Sequence, residues 1–348
     1  MPKTLGLLDR VLATNCPPFR TMDWIWGHIN SLAIRQPSTV RPIFACLGAP
    51  FSTRSCLMPR PEAGAEVREG FSVTGLTTSD GQVTGIRGHG RSGAEVEEQA
   101  RIVIGADGRN SLVAKAVGAK EYNARPVLTC GYYAYWDVLP HTPATHPLPH
   151  RVVISFPTNE GLTVTYFACR REQFATIRSD LEQHWTSAVE SVAAFKDLFR
   201  EARRVERIRG TGDLPNFFRK AHGDGWALVG DAGYHKDPII AQGISDAFRS
   251  AEWLADAVHT GFSGARPLTD ALGEYQRVRD EHFAPMYELS CSLATLEPPS
   301  TELLALYEAL RTNPIERNRF FGTLGGAASP SEYYAPENLQ RIVAAAAA

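Results

Sequence analysis

The stretch from Ala227 to Leu254 carries the residues of this chain that are best suited to chemistry. Asp231 follows a short apolar run, Trp226 to Val229, which is typical of a buried strand. Pro238 suits the first position of a helix, because that position needs no backbone N–H. An acid at the end of a strand can accept hydrogen bonds from hydroxyl groups, and a helix N-terminus stabilises negative charge. The stretch therefore predicts a site for a ligand that carries both hydroxyl groups and negative charge.

A helix must follow this turn, and Pro238 is predicted to open it. Apolar residues recur at helical spacing from Ile244 to Val258, so one face of the helix is expected to pack and the other to face water. A second segment of the same kind lies earlier in the chain. There, Ile102 to Gly105 is predicted to be a strand that ends beside Asp107, before a helix beginning near Asn110.

Together the two segments resemble the FAD-dependent aromatic hydroxylases of the para-hydroxybenzoate hydroxylase class. Gly230-Asp231-Ala232, followed by Pro238 and Gln242-Gly243, is similar to the second flavin-contact motif of that family. Asp107-Gly108, with Ser111, is similar to the family's Asp-Gly-x-x-Ser signature. Three departures are that Ala114 stands where the family usually has Arg, Ala241 where it usually has Gly, and Ser250 where it usually has Asp.

The resemblance implies roles for these residues. Asp231 would bind the ribityl chain of FAD, and Asp107 would serve both FAD and the passage of NAD(P)H. The implied cofactor-binding residues are Asp107, Gly108, Gly230, Asp231, Pro238, Gln242 and Gly243. No catalytic residue is assigned, and His235 is interpreted as structural.

The resemblance also implies an α/β fold class: an incomplete FAD-binding Rossmann-like domain, an inserted antiparallel-sheet substrate domain and C-terminal helices. Residues 1–120 and 221–262 would form the FAD-binding domain, residues 121–220 the substrate domain, and residues 263–348 a C-terminal helical region. The domain is expected to be incomplete because Met1 to Arg10 resembles the helix that follows the glycine-rich loop of such domains, and no Gly-x-Gly-x-x-Gly loop precedes it. The chain is therefore expected to lack the first βαβ unit, about 30 residues or more, and to hold FAD weakly as written.

The segment from Cys46 to Pro61 has neither helical nor strand periodicity. The similar enzymes have a helix here that resembles Pro-Arg-Arg-Thr-Val-Leu-Asp. Permitted codons for this segment, read two bases late, encode the same helix. We interpret the segment as frame-shifted, with an irregular loop as the alternative.

Two hairpins are predicted around the Asp80-Gly81 turn and around Thr158 to Gly161, and Glu95 to Ile104 is predicted to be one strand. Aromatic side chains precede the second hairpin and could either cover an apolar substrate or belong to the core: Tyr132, Tyr133, Tyr135 and Trp136. Residues 141–150 hold three histidines among prolines, a pattern that favours a loop over a metal site.

Composition bounds the remaining classes. The chain has 348 residues, 43% of them apolar, and a net charge of -2, which gives no electrostatic case for binding nucleic acid. Its six cysteines form no Cys-x-x-Cys pair and indicate no metal or disulfide framework. The sequence shows no bilayer-spanning apolar run and no signal-peptide pattern, so a cytoplasmic location is predicted; a small-molecule substrate is what the resemblance implies.

The implied activity is that of an FAD monooxygenase, in which NAD(P)H reduces the flavin and one oxygen atom of O₂ passes to a small aromatic or other apolar substrate. In such enzymes the cofactor supplies most of the chemistry. A flavin-dependent reductase of isoprenoid-type double bonds is one alternative, since it resembles the same fold. A non-catalytic remnant is the other, because the glycine loop is missing and the helix at 46–61 is disrupted.

Overall fold

A computed structural model describes residues 13, 16–17, 21–24, 32–35, 64–137 and 143–347. The predicted frame-shifted segment, Cys46 to Pro61, lies outside these residues. The strands are β1 Thr21–Trp24, β2 Leu32–Arg35, β3 Ser72–Ser79, β4 Gln82–His89, β5 Glu95–Gln99, β6 Val103–Gly105, β7 Glu121–Arg125, β8 Thr129–Asp137, β9 Ala144–Leu148, β10 Arg151–Pro157, β11 Leu162–Arg170, β12 Arg203–Arg204, β13 Arg209–Thr211, β14 Asn216–Arg219, β15 His222–Gly223, β16 Trp226–Leu228 and β17 Tyr234–His235. The α-helices are α1 Leu112–Ala116, α2 Phe174–Ser179, α3 Leu181–Glu190, α4 Ala193–Arg200, α5 Gly243–Phe262, α6 Leu268–Ala294, α7 Thr301–Thr312, α8 Pro314–Leu324, α9 Pro330–Tyr333 and α10 Pro336–Ala347.

These elements form two compact units. Among the described residues, the first unit contains 64–126 and 215–287, and the second contains the remainder. The expected mixed α/β fold class, with antiparallel sheets and C-terminal helices, is confirmed. None of the helices in the described ranges is long and apolar enough to cross a lipid bilayer.

The first unit holds three small sheets, with strand orders β3-β4-β5, β15-β16-β6 and β17-β14-β7. Strands β6 and β16 pair in parallel, with Gly105 opposite Leu228. Apolar side chains from this pair pack with Val113 of α1. The predicted β3–β4 hairpin is confirmed, and Asp80 and Gly81 both take positive φ angles, of 51° and 83°, as a tight two-residue turn requires.

The second unit is organised around one eight-stranded sheet of order β12-β8-β11-β10-β9-β1-β2, with β13 also paired to β8. The predicted β10–β11 hairpin is confirmed. Helices α2 to α4 cover one face of the sheet, where Tyr132 is buried and Trp136 stacks on Trp185. Because side chains alternate between faces along a strand, Tyr133 and Tyr135 lie on the opposite face, where they are half-buried. The sheet therefore divides the predicted aromatic group between core and surface.

Two strand predictions were wrong. Glu95 to Ile104 is not one strand, because β5 pairs with β4 whereas β6 leaves that sheet to pair with β16. The predicted histidine-containing loop includes a strand, β9, which pairs along its whole length with β10. Strand β1 pairs with β9 only at Ala144 and Thr145. Pro147, which has no backbone N–H to donate, therefore lies outside the β1–β9 pairing.

The predicted start of the long helix was also wrong. Pro238–Ile240 forms a single 3-10 turn whose start is capped by the Asp237 carboxylate, and α5 begins only at Gly243. Between the two, Ala241 has a φ of 53°. This left-handed conformation ends the turn and costs a non-glycine residue about 1–2 kcal/mol.

His146 on β9 should make the stability of the second unit depend on pH. The side chain is 4% exposed, its Nε2 has no hydrogen-bond partner in the described ranges, and it packs edge-on against the Phe195 ring. Burial lowers the pKa of His146 to about 4. Below the ordinary histidine pKa of about 6.5, His146 binds a proton in the unfolded chain but not in the folded chain. Stability is therefore lost as the pH falls from 6.5 towards 4.

Each pH unit in that window costs about 1.4 kcal/mol. We therefore expect His146→Leu to reduce the loss of unfolding free energy between pH 7 and pH 5 by about 2 kcal/mol. Urea unfolding at the two pH values measures this loss. His89→Leu, at an exposed position, is the control and should leave it unchanged. Equal pH dependence in wild type and His146→Leu would contradict the prediction.

Candidate functional site

In the first unit, two loops that each carry an aspartate follow neighbouring strands at the same edge of a sheet. Strands β6 and β16 run parallel, so their carboxyl ends lie side by side. The loop after β6 carries Asp107 and the loop after β16 carries Asp231. Below the loops, the Val229 N–H donates to the Gly105 carbonyl over 3.0 Å, which continues the strand pairing by one residue.

Asp107 is an exposed residue whose carboxylate is already engaged by the protein. It accepts hydrogen bonds from the Leu112 N–H at 2.7 Å and the Val113 N–H at 3.3 Å. The Ser111 hydroxyl accepts a third, from the Ala114 N–H at 2.9 Å. Asp107 and Ser111 thus satisfy the free N–H groups at the start of α1, and each such cap contributes about 1 kcal/mol. This local role accounts for both residues of the Asp-Gly-x-x-Ser segment.

Asp231 differs from Asp107 in this respect. It is exposed on the 3-10 turn Gly230–Ala232, and none of the described residues donates a hydrogen bond to its carboxylate. Gly230 makes the turn possible, since its φ is 57° and an added Cβ would lie 3.3 Å from the Ala247 Cβ. The turn therefore presents a carboxylate that remains free to accept hydrogen bonds from a ligand.

A cavity of about 90 Å³ lies beside this turn. It is lined by Gly230, Asp231, Tyr234, His235, Lys236, Asp237, Pro238, Gln242, Gly243, Asp246 and Ala247. Five of the seven sequence-predicted residues therefore meet at one cavity, whereas Asp107 and Gly108 are not among its lining residues.

The N-terminus of α5 forms one wall of the cavity. This helix has 20 residues, and its first N–H groups have no partner within the helix, so they favour a negatively charged or hydrogen-bond-accepting ligand. Apart from its chain neighbours and the backbone of its own helix, a methyl group added at Gly243 would meet no atom of the described residues within 4 Å. Gly243 thus leaves room for a ligand to approach the backbone at the helix start.

The sequence analysis missed a buried ion pair in the same cavity wall. The Lys236 ammonium, on a side chain 4% exposed, contacts the carboxylate of Asp246 in the first turn of α5. Burial raises the pKa of Asp246, and the Lys236 charge opposes that rise. No local pattern distinguishes this lysine from an exposed one, because its partner lies across the Pro238–Ile240 turn.

His235 lies in the wall but is bonded to the protein. Its Nδ1–H donates to the Pro215 carbonyl, and burial lowers the pKa of the ring. That His235 has a structural role stays a prediction, and the hydrogen bond to Pro215 is consistent with it. Within the described ranges, no group of three or more His, Cys, Asp or Glu side chains is arranged to hold a metal ion.

Residues 3–284 match the sequence model of a protein family, the FAD binding domain. A curated relative, the digeranylgeranylglycerophospholipid reductase of Methanocella arvoryzae, is 28% identical over 216 residues, which are 60% of this chain and 54% of that enzyme. The chain thus spans about half the length of that relative.

Solved structures show the same fold. The myxobacterial chondrochloren halogenase, a variant of the FAD-dependent halogenases, has a TM-score of 0.77 and 19% identity, with 99% of this chain and 84% of that one covered. A probable FAD-dependent monooxygenase from Pseudomonas aeruginosa has a TM-score of 0.64 and 19% identity, with 92% and 85% covered. Because the FAD binding domain model matches most of the chain, the chain belongs to the FAD binding domain family.

Proposed function

We propose that the cavity beside Asp231 holds part of FAD and that the protein is an NAD(P)H-dependent FAD monooxygenase acting on a small aromatic or other apolar substrate. The observation that carries the proposal is the free Asp231 carboxylate at the parallel-strand edge, beside the start of α5. The donor set fits the cofactor, because the carboxylate can accept from ribityl hydroxyls and the helix N–H groups can donate to an electron-rich atom.

Each lining residue has a part in this proposal. Asp231 would orient the ribityl chain, while Gly243 would present its backbone N–H and Gln242 and Pro238 would shape the wall. Gly108 and Asp107 would border the cofactor from the neighbouring loop, with Asp107 also fixing that loop through α1. When bound, FAD supplies the redox chemistry between NAD(P)H, O₂ and the substrate. A cytoplasmic location belongs to the same proposal.

Titration of the purified chain with FAD, followed by quenching of flavin fluorescence, tests the cofactor assignment. Saturable one-to-one binding supports it, and the expected weak retention would appear as a high dissociation constant. No saturable binding would reject the assignment and favour the non-catalytic remnant. Oxygen uptake that matches NAD(P)H oxidation and rises with an aromatic substrate supports the monooxygenase.

Reduction of isoprenoid-type double bonds is the second candidate function. It is favoured by the several curated relatives named as digeranylgeranylglycerophospholipid reductases, of which two are 28% identical over 216 and 266 residues. Such a reaction consumes no O₂. Turnover of a prenylated lipid by the reduced protein under strict anaerobiosis would therefore replace the monooxygenase with a reductase.

Gly243→Ala should separate cofactor binding from folding. The added methyl group meets no atom of the described residues within 4 Å outside its own helix and chain neighbours, and alanine is the better helix former, so stability should not fall. We expect FAD affinity to fall about tenfold, because a ligand that approaches the helix start within van der Waals distance would lose about 1.4 kcal/mol.

Gly90→Ala is the matched control for this substitution, since a methyl group there also meets no atom within 4 Å in the described part of the chain beyond its neighbours, and Gly90 lies outside the cavity. It should bind FAD as wild type does. Unchanged affinity in Gly243→Ala would show that the ligand does not approach this helix start.

A further inference from the structure

Arg219 is a buried arginine that bonds to both acidic loops. It ends strand β14 and is 9% exposed. Its Nη1 donates to the Arg109 carbonyl at 3.0 Å and to the Ala232 carbonyl at 3.1 Å. Arg109 lies two residues after Asp107, and Ala232 directly follows Asp231. One guanidinium nitrogen therefore links the loop of each predicted FAD motif.

The remaining donors of Arg219 fix the orientation of its guanidinium. Nε and Nη2 both donate to the Glu121 carboxylate, at 3.1 and 2.8 Å, and the Phe217 ring lies 4.0 Å from the guanidinium carbon. Both of these N–H groups donate to one carboxylate oxygen, Oε1, and this arrangement and the ring stacking both depend on the planar fork of arginine. Lysine keeps the charge at this position but cannot reproduce the same set of bonds.

A second buried arginine supports only one of the two loops. Arg279 of α6 is 1% exposed and donates to the Gly233 carbonyl at 3.1 Å and to the Arg219 carbonyl at 2.8 Å. Arg279 thus bonds to the Asp231 loop and to the backbone of Arg219, whereas Arg219 bonds to both loops. The strand register ends below the loops, at Gly105 and Leu228. Beyond the Gly105–Leu228 pair, hydrogen bonds from side chains such as Arg219 must then help to set the distance between the two loops.

We infer that Arg219 is a positioning residue that holds the Asp107 and Asp231 loops in one fixed arrangement and thereby shapes the site for FAD. The expected effect on FAD binding rests on the proposed function, because the arrangement of the two loops affects FAD only if both loops border the cofactor. Arg219 acts through the Arg109 and Ala232 carbonyls, and it does so whether or not a ligand is present.

Hydrogen exchange of the protein without FAD tests the linkage directly. In wild type, amides in residues 106–113 and 230–235 should share one opening free energy and one dependence on dilute urea, because one side chain joins both loops. In Arg219→Lys, exchange in both segments should become at least tenfold faster. Loops that open independently in wild type, or exchange that is unchanged in either segment of the variant, would overturn the inference. The wild-type comparison decides the matter even if the variant folds poorly.

FAD titration tests the consequence. Arg219→Lys should bind FAD at least tenfold more weakly and change the visible circular dichroism of the bound flavin, which a general loss of stability would not change. Glu121→Gln is the matched control, because it removes the counter-charge and leaves both carbonyl bonds in place; its affinity should stay within about threefold of wild type. Equal FAD affinity in wild type and Arg219→Lys would overturn the inference. Absence of saturable binding in wild type would instead reject the proposed function, and hydrogen exchange would still decide the linkage.

Discussion

Asp231→Ala is expected to weaken FAD binding about a hundredfold while leaving the fold intact. A hydrogen bond to a charged group contributes about 1.5–3 kcal/mol, and each 1.4 kcal/mol is a tenfold change in affinity. The carboxylate is exposed and accepts no hydrogen bond from the described residues, so its removal should change the unfolding free energy by less than about 0.5 kcal/mol. Fluorescence titration with FAD and urea unfolding of the same preparation measure the two quantities.

Asp256→Ala is the matched control, because Asp256 is an exposed acid on α5 and does not line the cavity. It should bind FAD as wild type does. Asp107→Ala gives a useful contrast, since it removes the cap of α1 and should cost about 1 kcal/mol of stability. Wild-type affinity in Asp231→Ala would show that this carboxylate does not contact the cofactor.

Lys236→Met should lower the unfolding free energy by about 3 kcal/mol. The substitution leaves the Asp246 carboxylate, with a side chain 14% exposed, without its cationic partner, and breaking a buried pair in this way costs about 3–5 kcal/mol. Burial already raises the pKa of Asp246, and Lys236 opposes that rise. Removal of Lys236 should therefore raise the pKa further.

The sign of the pH dependence follows from that shift. An acid whose pKa is higher in the folded than in the unfolded state binds more protons when folded, so its variant loses stability as the pH rises. The deficit of Lys236→Met should accordingly be larger at pH 8 than at pH 5, as measured by urea unfolding. The double variant Lys236→Met with Asp246→Leu should recover most of it, because no charge remains buried. Lys196→Met, at an exposed lysine, is the control. An equal deficit at both pH values would contradict the ion-pair explanation.

The two predictions address different layers of one site. Asp231 provides a carboxylate that accepts no hydrogen bond from the described residues, whereas Lys236 and Asp246 form an ion pair in the wall of the same cavity. Loss of cofactor affinity without loss of stability is therefore the expected signature of the first variant. Loss of stability with a pH dependence is the expected signature of the second.

Local patterns in the sequence determined the elements that carry the site. The apolar run before Asp231, the Asp80-Gly81 turn and the helical spacing after Ile244 each depend on near neighbours, and all three predicted elements are present in the structure. The two acidic motifs were recognisable for the same reason, since a strand, a turn and a helix start are adjacent along the chain.

Only the tertiary structure decided which side chains meet. Arg219 reaches Arg109 across 110 positions of sequence, and Cys130 faces Cys169 with their Sγ atoms 3.2 Å apart because β8 and β11 pair in that register. Asp107 and Asp231 looked alike in sequence, yet one carboxylate caps a helix and the other accepts no bond from the described residues. Hydrogen-bond partners and burial depend on residues distant in the chain, which periodicity and spacing do not encode.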